Sequence, residues 1–172
     1  SVDSRNHGQS KKTDDYSYNT MADDIYRFIE VLKLGRVGII GFSDGAVIGL
    51  ILAMNHIETV SKMALLGVNL KPDDFTEKSY RFVKDTYERT KDPLFKLMLE
   101  EPNIELDAVK GVNIPVLVIA AEKDIFKPET FTNLAAALPD AALKVMDGHK
   151  HDTYINGQDL LYPDLISFFK GA

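Results

Sequence analysis

The feature that most constrains the fold of this chain is the pentapeptide G-F-S-D-G at residues 41–45. A short β-branched run, residues 37–40, precedes it, and a long apolar run, residues 46–54, follows it. This order predicts a strand, a sharp turn and a helix. A G-x-S-x-G turn in that setting is typical of a nucleophile elbow, which lifts a serine hydroxyl off the end of a parallel strand. An ordinary strand-to-helix turn is the alternative interpretation.

The two glycines of the pentapeptide are expected to have a steric role. A strand and a helix that approach closely around a strained serine leave no room for a Cβ. We therefore expect both Gly41 and Gly45 to lie against neighbouring backbone. Gly45 and Gly49 also fall on one side of the predicted helix, where they would allow it to pack closely on a sheet.

Composition limits the possible classes of protein. A chain of 172 residues with 45% hydrophobic residues is large enough for one domain with its own core. The net charge of −6 and the absence of a long basic run argue against a nucleic-acid partner. No cysteine is present, so disulfides are excluded. No apolar run is long enough to span a membrane and no signal peptide is visible, so a soluble, cytoplasmic protein without membrane contact is expected.

Helices and strands are predicted to alternate along the chain. Thr20 with Asp23 resembles a capping box at the start of the first helix, and Gly35 is expected at the C′ position after it. The predicted helices cover residues 20–34, 44–55, 76–90, 93–100, the stretch between Pro128 and Pro139, and 160–170, which Gly171 ends; the predicted strands cover residues 37–42, 60–66, 114–121 and 142–146. This order predicts an α/β fold, a three-layer structure with a parallel sheet of about four strands and a single domain over residues 1–172.

Residues 71–110 differ in character from the rest of the chain. They are highly charged, and their two predicted helices carry apolar residues at helical spacing, such as Tyr80, Val83 and Tyr87. Packing against the main body is the simpler interpretation. The functional alternative is a short helical lid, or cap, over the serine.

Three side chains that could form a catalytic site follow predicted strands. Ser43 needs a base to accept its proton, and of the four histidines only His149 and His151 follow a strand that leads to the same edge. Asp124 follows the strand at residues 114–121 and could orient the base, although a turn carboxylate is the alternative. Ligands of parallel sheets bind at the carboxyl ends of the strands, so these groups are expected to meet. A metal site in the cluster Asp147, His149, His151 and Asp152 is not expected, because one tight turn rarely gives tetrahedral geometry.

Four stretches of the chain together resemble the α/β-hydrolase fold superfamily, in its small, esterase-like branch. Residues 3–10 (D-S-R-N-H-G-Q-S) are similar to the D-x-R-G-x-G-x-S loop that follows the fourth strand of that family, with Asn6 in place of the usual glycine. The other three are the elbow at residues 41–45, the acid turn E-K-D at 122–124 and the G-x-x-H turn at 148–151. The resemblance covers nearly the whole chain.

The resemblance implies roles for four residues. Ser43 would attack the substrate, His151 would accept and return the proton, and Asp124 would orient His151. The backbone N–H of Asp44 would be one donor of the oxyanion hole. His151 is favoured over His149 because G-x-x-H places it where family members carry the base, and His149 is expected to be a solvated turn residue. No cofactor and no metal are implied.

The chain departs from the family pattern at its start. Judged by the resemblance, it begins at the end of the fourth strand, so we expect it to lack the N-terminal strands and the H-G loop that supplies a second oxyanion donor. The strand around residues 36–42 would then be an exposed apolar sheet edge. Self-association through that edge, as a homodimer, is expected.

Two functions of different classes follow from these observations. The first is a serine hydrolase of small ester or related acyl substrates, working through a Ser-His-Asp triad and an acyl-enzyme. Thioesters, lactones, carbon–carbon bonds and cofactor-free perhydrolysis remain open. The second is a non-catalytic or weakly active hydrolase scaffold that acts as a binding protein, which the missing strands favour.

Overall fold

A computed structural model of the chain describes residues 1–157 and 159–170. Helices and strands alternate after an N-terminal loop, and a pair of helices separates the second strand from the third. In chain order the elements are α1 (Tyr18–Val31), β1 (Val37–Phe42), α2 (Asp44–Asn55), β2 (Val60–Leu66), α3 (Glu77–Thr90), α4 (Pro93–Glu100), β3 (Val116–Lys123), α5 (Pro128–Ala137), β4 (Ala141–Lys150) and α6 (Tyr162–Lys170).

The four strands form one parallel sheet in the order β1-β2-β3-β4. Leu65 of β2 lies between Gly41 of β1 and Val118 of β3, and Val118 lies beside Leu143 of β4. All four strands therefore point their carboxyl ends at the same edge. The predicted α/β class and parallel four-stranded sheet are confirmed.

Helices cover both faces of the sheet, so the fold has the three predicted layers. On one face, α2 and α5 bury residues such as Val47 and Leu134 in the larger core cluster, to which Val118 belongs. On the other face, Ile119 lies in a smaller cluster against which Phe168 of α6 packs. Because neighbouring residues of β3 enter opposite clusters, that strand is apolar over most of its length.

Helix α2 is apolar all round and lies almost entirely within the core, as predicted. Gly49 allows its close packing on the sheet, since a Cβ there would lie 3.0 Å from Cγ2 of Ile39. The packing role predicted for Gly45 is wrong, because that residue is exposed and a Cβ on it would meet open space. Neither α2 nor any other helix in the described part of the chain is long and apolar enough to cross a membrane.

Helix α1 is displaced from its predicted bounds at both ends. It begins at Tyr18 after Ser17, so Thr20 lies inside the helix and does not cap it. At its end, Lys33 adopts the left-handed conformation (φ 52°), and the N–H of Leu34 donates to the carbonyl of Ile29. This is a Schellman closure with lysine at C′, and Gly35 lies beyond it.

The last two strands extend further than their apolar runs. β3 begins at Val116, after Pro115, and continues to Lys123. A register shift after Ala121 lets Lys123 pair with Lys150, so β4 continues to Lys150 and not only to Met146. The expectation that His149 is a turn residue is therefore wrong. Helix α6 begins at Tyr162, and its predicted end at Gly171 lies outside the described residues.

The charged segment at residues 71–110 forms two helices within one residue of their predicted bounds. Its buried residues Val83 and Leu97 belong to the same hydrophobic cluster as the main core. Phe75 forms an isolated antiparallel bridge with Phe126, in the loop after β3. The segment is therefore packed on the body of the domain, beside the loop that carries Asp124.

Candidate active site

The turn between β1 and α2 holds Ser43 in a strained conformation. Its φ of 53° and ψ of −120° lie outside the regions that a serine normally adopts. The turn is fixed from both sides, since the N–H of Ser43 donates to the carbonyl of Leu66 at 2.8 Å and its carbonyl accepts the N–H of Ala46 at 2.9 Å. A Cβ on Gly41 would lie 2.4 Å from the carbonyl oxygen of Gly45, so Gly41 has the predicted steric role.

The side chains of Ser43, His151 and Asp124 form a continuous hydrogen-bonded chain. Oγ of Ser43 lies 3.1 Å from Nε2 of His151, and Nδ1 of His151 lies 2.8 Å from Oδ1 of Asp124. The three residues come from the loops after β1, β4 and β3, at the carboxyl edge of the sheet. This sequence of hydroxyl, imidazole and carboxylate has the geometry of a nucleophile, a base and an orienting group.

Asp124 is buried and held by its own loop. Its side chain is 2% exposed, compared with 14% for His151. The N–H of Ala121 donates to Oδ2 at 3.1 Å and the N–H of Phe126 donates to Oδ1 at 3.3 Å. The carboxylate therefore closes its own turn and contacts the imidazole at the same time. Its interpretation as a turn carboxylate and its interpretation as the group that orients the base are compatible.

His151 is enclosed by aromatic rings and by one glycine. The ring centroids of Phe42 and Phe126 lie 4.8 and 5.5 Å from that of His151. On a third side is Gly67, which follows β2 with a φ of +57°. A Cβ on Gly67 would lie 2.6 Å from Cε1 of His151, so the imidazole occupies space that only glycine leaves free.

Replacing Gly67 by alanine is expected to displace the His151 ring and lower the rate of any reaction that uses it by roughly 10²-fold, the cost of a displacement of about 1 Å at a reacting group. Gly35→Ala is the matched control, because Gly35 has a similar φ of +66° but open space around its Cβ position. Both variants carry the same kind of backbone strain, so comparable activity losses in the two would contradict the proposed contact. Steady-state rates compare the activities of the two variants, and their melting temperatures measure the backbone strain.

Tyr18 of α1 connects the elbow to the end of α4, and no pattern in the sequence predicts this connection. Its hydroxyl donates to Oδ1 of Asp44 at 2.7 Å, and its backbone N–H donates to Oε2 of Glu101 at 3.0 Å, just after α4. Burial and the neighbouring Asp44 carboxylate raise the pKa of Tyr18 above its ordinary value, so the phenol stays protonated and remains a donor. Asp44 is the first residue of α2, where backbone N–H groups lack helical acceptors.

Removing the Tyr18 hydroxyl with Tyr18→Phe is expected to lower the free energy of unfolding by about 1–2 kcal/mol, because a hydrogen bond to a carboxylate is lost. Tyr80→Phe removes a hydroxyl from a side chain that is 39% exposed on α3 and serves as the control. Urea denaturation of both variants measures the difference. Equal stability of Tyr18→Phe and the unmodified chain would show that the hydroxyl contributes nothing to holding the elbow.

The other histidines do not join the hydrogen-bonded chain. His149 is half-buried, with Nδ1 3.2 Å from Oγ1 of Thr153 and its ring edge-to-face with Tyr154. His56 stacks on Tyr26, and Nδ1 of His7 contacts the carbonyl of Arg5. Among the described residues, no group of three or more histidines and carboxylates is arranged to hold a metal ion.

Comparison with known proteins identifies the family. The family model for the alpha/beta hydrolase fold matches residues 1–96, which is more than half of the chain and includes Ser43. The chain belongs to the alpha/beta hydrolase fold family. The matched range ends before Asp124 and His151, so the positions of those two residues beside Ser43 are known from the structure.

The chain is also similar to individual proteins. Human serine hydrolase BPHL is 25% identical over 186 residues, covering 91% of this chain and 64% of that protein. Ethanol acetyltransferase 1 of Kluyveromyces lactis is 40% identical over 65 residues, 38% of this chain and 18% of that protein. The chain thus spans less than two thirds of either relative. The structure of meta-cleavage product hydrolase from Pseudomonas fluorescens IP01 has the same fold, with a TM-score of 0.77, 18% identity and coverage of 98% of this chain and 78% of that one.

Proposed function

We propose that the chain is a serine hydrolase of small ester or related acyl substrates. The observation that carries this proposal is the chain of hydrogen bonds from Ser43 through His151 to Asp124, at 3.1 and 2.8 Å. Its position at the carboxyl edge of a parallel sheet, where ligands of such sheets bind, adds support. Membership of a hydrolase family and the resemblance to a human serine hydrolase agree with it.

The reaction follows from the order of these groups. Nε2 of His151 accepts the proton of Ser43 as Oγ attacks the carbonyl carbon, and the backbone N–H of Asp44 stabilises the negative charge on the carbonyl oxygen. The imidazolium then gives its proton to the leaving alcohol, and the acyl group remains on Ser43. Water, activated by His151, attacks the acyl-enzyme and releases the acid. Asp124 keeps Nδ1 of His151 protonated throughout. None of these steps needs a cofactor.

The segment at residues 71–110 is part of this proposal as a small cap. Its first end is tied to the acid loop through the pairing of Phe75 with Phe126. Its other end is tied to the elbow side through Glu101 and Tyr18. A short cap in this position favours a small or medium-sized substrate.

A different acyl acceptor is the second candidate. The yeast relative that is 40% identical over 65 residues is named an ethanol acetyltransferase. An acyl-enzyme on Ser43 would react with an alcohol by the same steps as with water. Adding ethanol to an assay with an acetyl ester and measuring ethyl acetate separates transfer from hydrolysis.

A panel of short- and long-chain p-nitrophenyl esters tests the proposed hydrolysis. We expect p-nitrophenol to be released. If deacylation is slow, the release should begin with a burst equal in amount to the protein. Faster turnover of the short esters would agree with a small cap. No release from a sample shown to be folded would instead favour the non-catalytic scaffold.

A further inference from the structure

The phenol of Tyr18 links the start of α1 to the elbow. Tyr18 is the first residue of α1, and it is buried in the same core cluster as Ala46 and Val47 of α2. Its hydroxyl donates to Oδ1 of Asp44 at 2.7 Å. The carboxylate of Asp44, the residue directly after Ser43, is therefore bonded to a group that lies between α1 and α2.

The charge of Asp44 opposes the reaction proposed for Ser43. The backbone N–H of Asp44 is the proposed oxyanion donor, and the carboxylate belongs to the same residue, so the two negative charges would lie within several ångströms of each other. A carboxylate in the first turn of a helix also takes up part of the positive potential of the helix N-terminus. An Asp44 side chain that rotated freely would therefore destabilise the oxyanion.

We propose that Tyr18 is a positioning residue that holds the carboxylate of Asp44 on the α1 side of the elbow and so keeps its charge away from the oxyanion site. The inference rests on the proposed hydrolase function. The observation that carries it is the hydrogen bond from the buried phenol to Oδ1 of Asp44. A hydrogen bond to an ionised carboxylate is stronger than one between neutral groups, so it can select one orientation of the side chain. Tyr18 acts through Asp44 and not through contact with the substrate.

The position of Tyr18 is itself fixed by the residue that follows α4. The backbone N–H of Tyr18 donates to Oε2 of Glu101 at 3.0 Å. Glu101 thus satisfies an N–H at the start of α1, where the side chain of Ser17 makes no capping hydrogen bond. Burial, and then the charge of Asp44, raise the pKa of Tyr18 above its ordinary value. The hydroxyl therefore remains a donor throughout the neutral pH range.

A purely structural role for Tyr18 would have different consequences. Tyr18→Phe would then lower stability but leave kcat of the folded chain unchanged. In the positioning role, the phenylalanine offers no donor, and the carboxylate of Asp44 is free to turn toward the oxyanion site. A loss of roughly tenfold in kcat is expected from such a like charge near a protein surface. KM is expected to change little, because the charge on the substrate oxygen develops only in the transition state.

Measurements of kcat and KM on a set of variants, with a short p-nitrophenyl ester as substrate, test the inference. Tyr18→Phe is expected to lower kcat, and Tyr162→Phe, at a residue of α6 that is 64% exposed, is the matched control with full activity. Adding Asp44→Asn to Tyr18→Phe is expected to restore most of the lost activity, because the charge that repels the oxyanion is gone. Adding Asp147→Asn instead changes the net charge equally and is expected to restore none. An unchanged kcat in Tyr18→Phe, or no gain on adding Asp44→Asn, would overturn the inference.

Failure of the proposed function would be recognised separately. A folded, unmodified chain that hydrolyses no ester and is not labelled at Ser43 would overturn both proposals, whereas an active chain that is indifferent to Tyr18→Phe would overturn this one alone. Urea denaturation gives a readout besides activity. The losses of stability in Tyr18→Phe and Asp44→Asn are expected to be non-additive in the double variant, because both changes weaken the same hydrogen bond. Additive losses would show that this hydrogen bond does not hold Asp44, and would also overturn the inference.

Discussion

Replacing Ser43 by alanine is expected to lower ester hydrolysis by roughly 10⁶-fold, the loss found when the nucleophile of a comparable triad is removed. The Oγ atom is the group that would form the acyl-enzyme, and its hydrogen bond is to Nε2 of His151. The backbone contacts that hold the turn, from Ser43 to Leu66 and Ala46, do not involve the side chain. Activity is therefore expected to disappear while the fold remains.

The test is the initial rate of hydrolysis of the best ester of the panel. A thermal melt of the same sample shows whether the variant is folded. Ser61→Ala is a matched control, because Ser61 lies on β2 and its hydroxyl donates to the carbonyl of Val37, away from the carboxyl edge. Full activity is expected in that variant. If Ser43→Ala kept the rate of the unmodified chain, hydrolysis would have to use another group.

Replacing Asp124 by asparagine is expected to lower kcat by roughly 10⁴-fold, with a smaller effect on KM. An asparagine side chain of similar shape can still fill the site. Its amide, however, would donate to Nδ1 of His151 and so stabilise the tautomer in which Nε2 carries the proton. Nε2 could then no longer accept the proton of Ser43, 3.1 Å away.

The control for Asp124→Asn is Asp147→Asn, which neutralises an exposed carboxylate on β4. It changes the net charge by the same amount but is not part of the hydrogen-bonded chain. Comparable losses in the two variants would attribute the effect to overall charge. A loss confined to Asp124→Asn, with kcat reduced more than substrate binding, supports an orienting role.

Much of the fold could be predicted from local patterns. The elbow, helix α2 and strands β1 and β2 lie at their predicted positions because short apolar runs there are bounded by glycine and polar residues. Element ends were less predictable. Lys33 closes α1 although Gly35 is nearby, and Lys150 extends β4 by pairing with Lys123. Both depend on contacts between segments, which periodicity does not contain.

In the candidate site, too, some residues could be predicted from the sequence and others could not. Ser43, Asp124 and the two histidines His149 and His151 could be selected because each follows a predicted strand and parallel strands end at one edge. The preference for His151 over His149 came from the resemblance of the G-x-x-H turn to that of the family. The neighbours that hold them were not predictable. The contact of Gly67 with His151 and the hydrogen bond from Tyr18 to Asp44 join residues far apart in the chain, with no spacing that marks them. Such contacts follow from the packed structure alone.

The most direct test of the central claim, that Ser43 is a nucleophile activated by His151, is covalent labelling with a fluorophosphonate followed by peptide mass mapping. We expect one adduct, on the peptide that contains Ser43, in the folded chain. The adduct should be lost in His151→Ala and retained in His149→Ala. A folded chain that remains unlabelled, or a Ser43 that is labelled equally well without His151, would contradict the account.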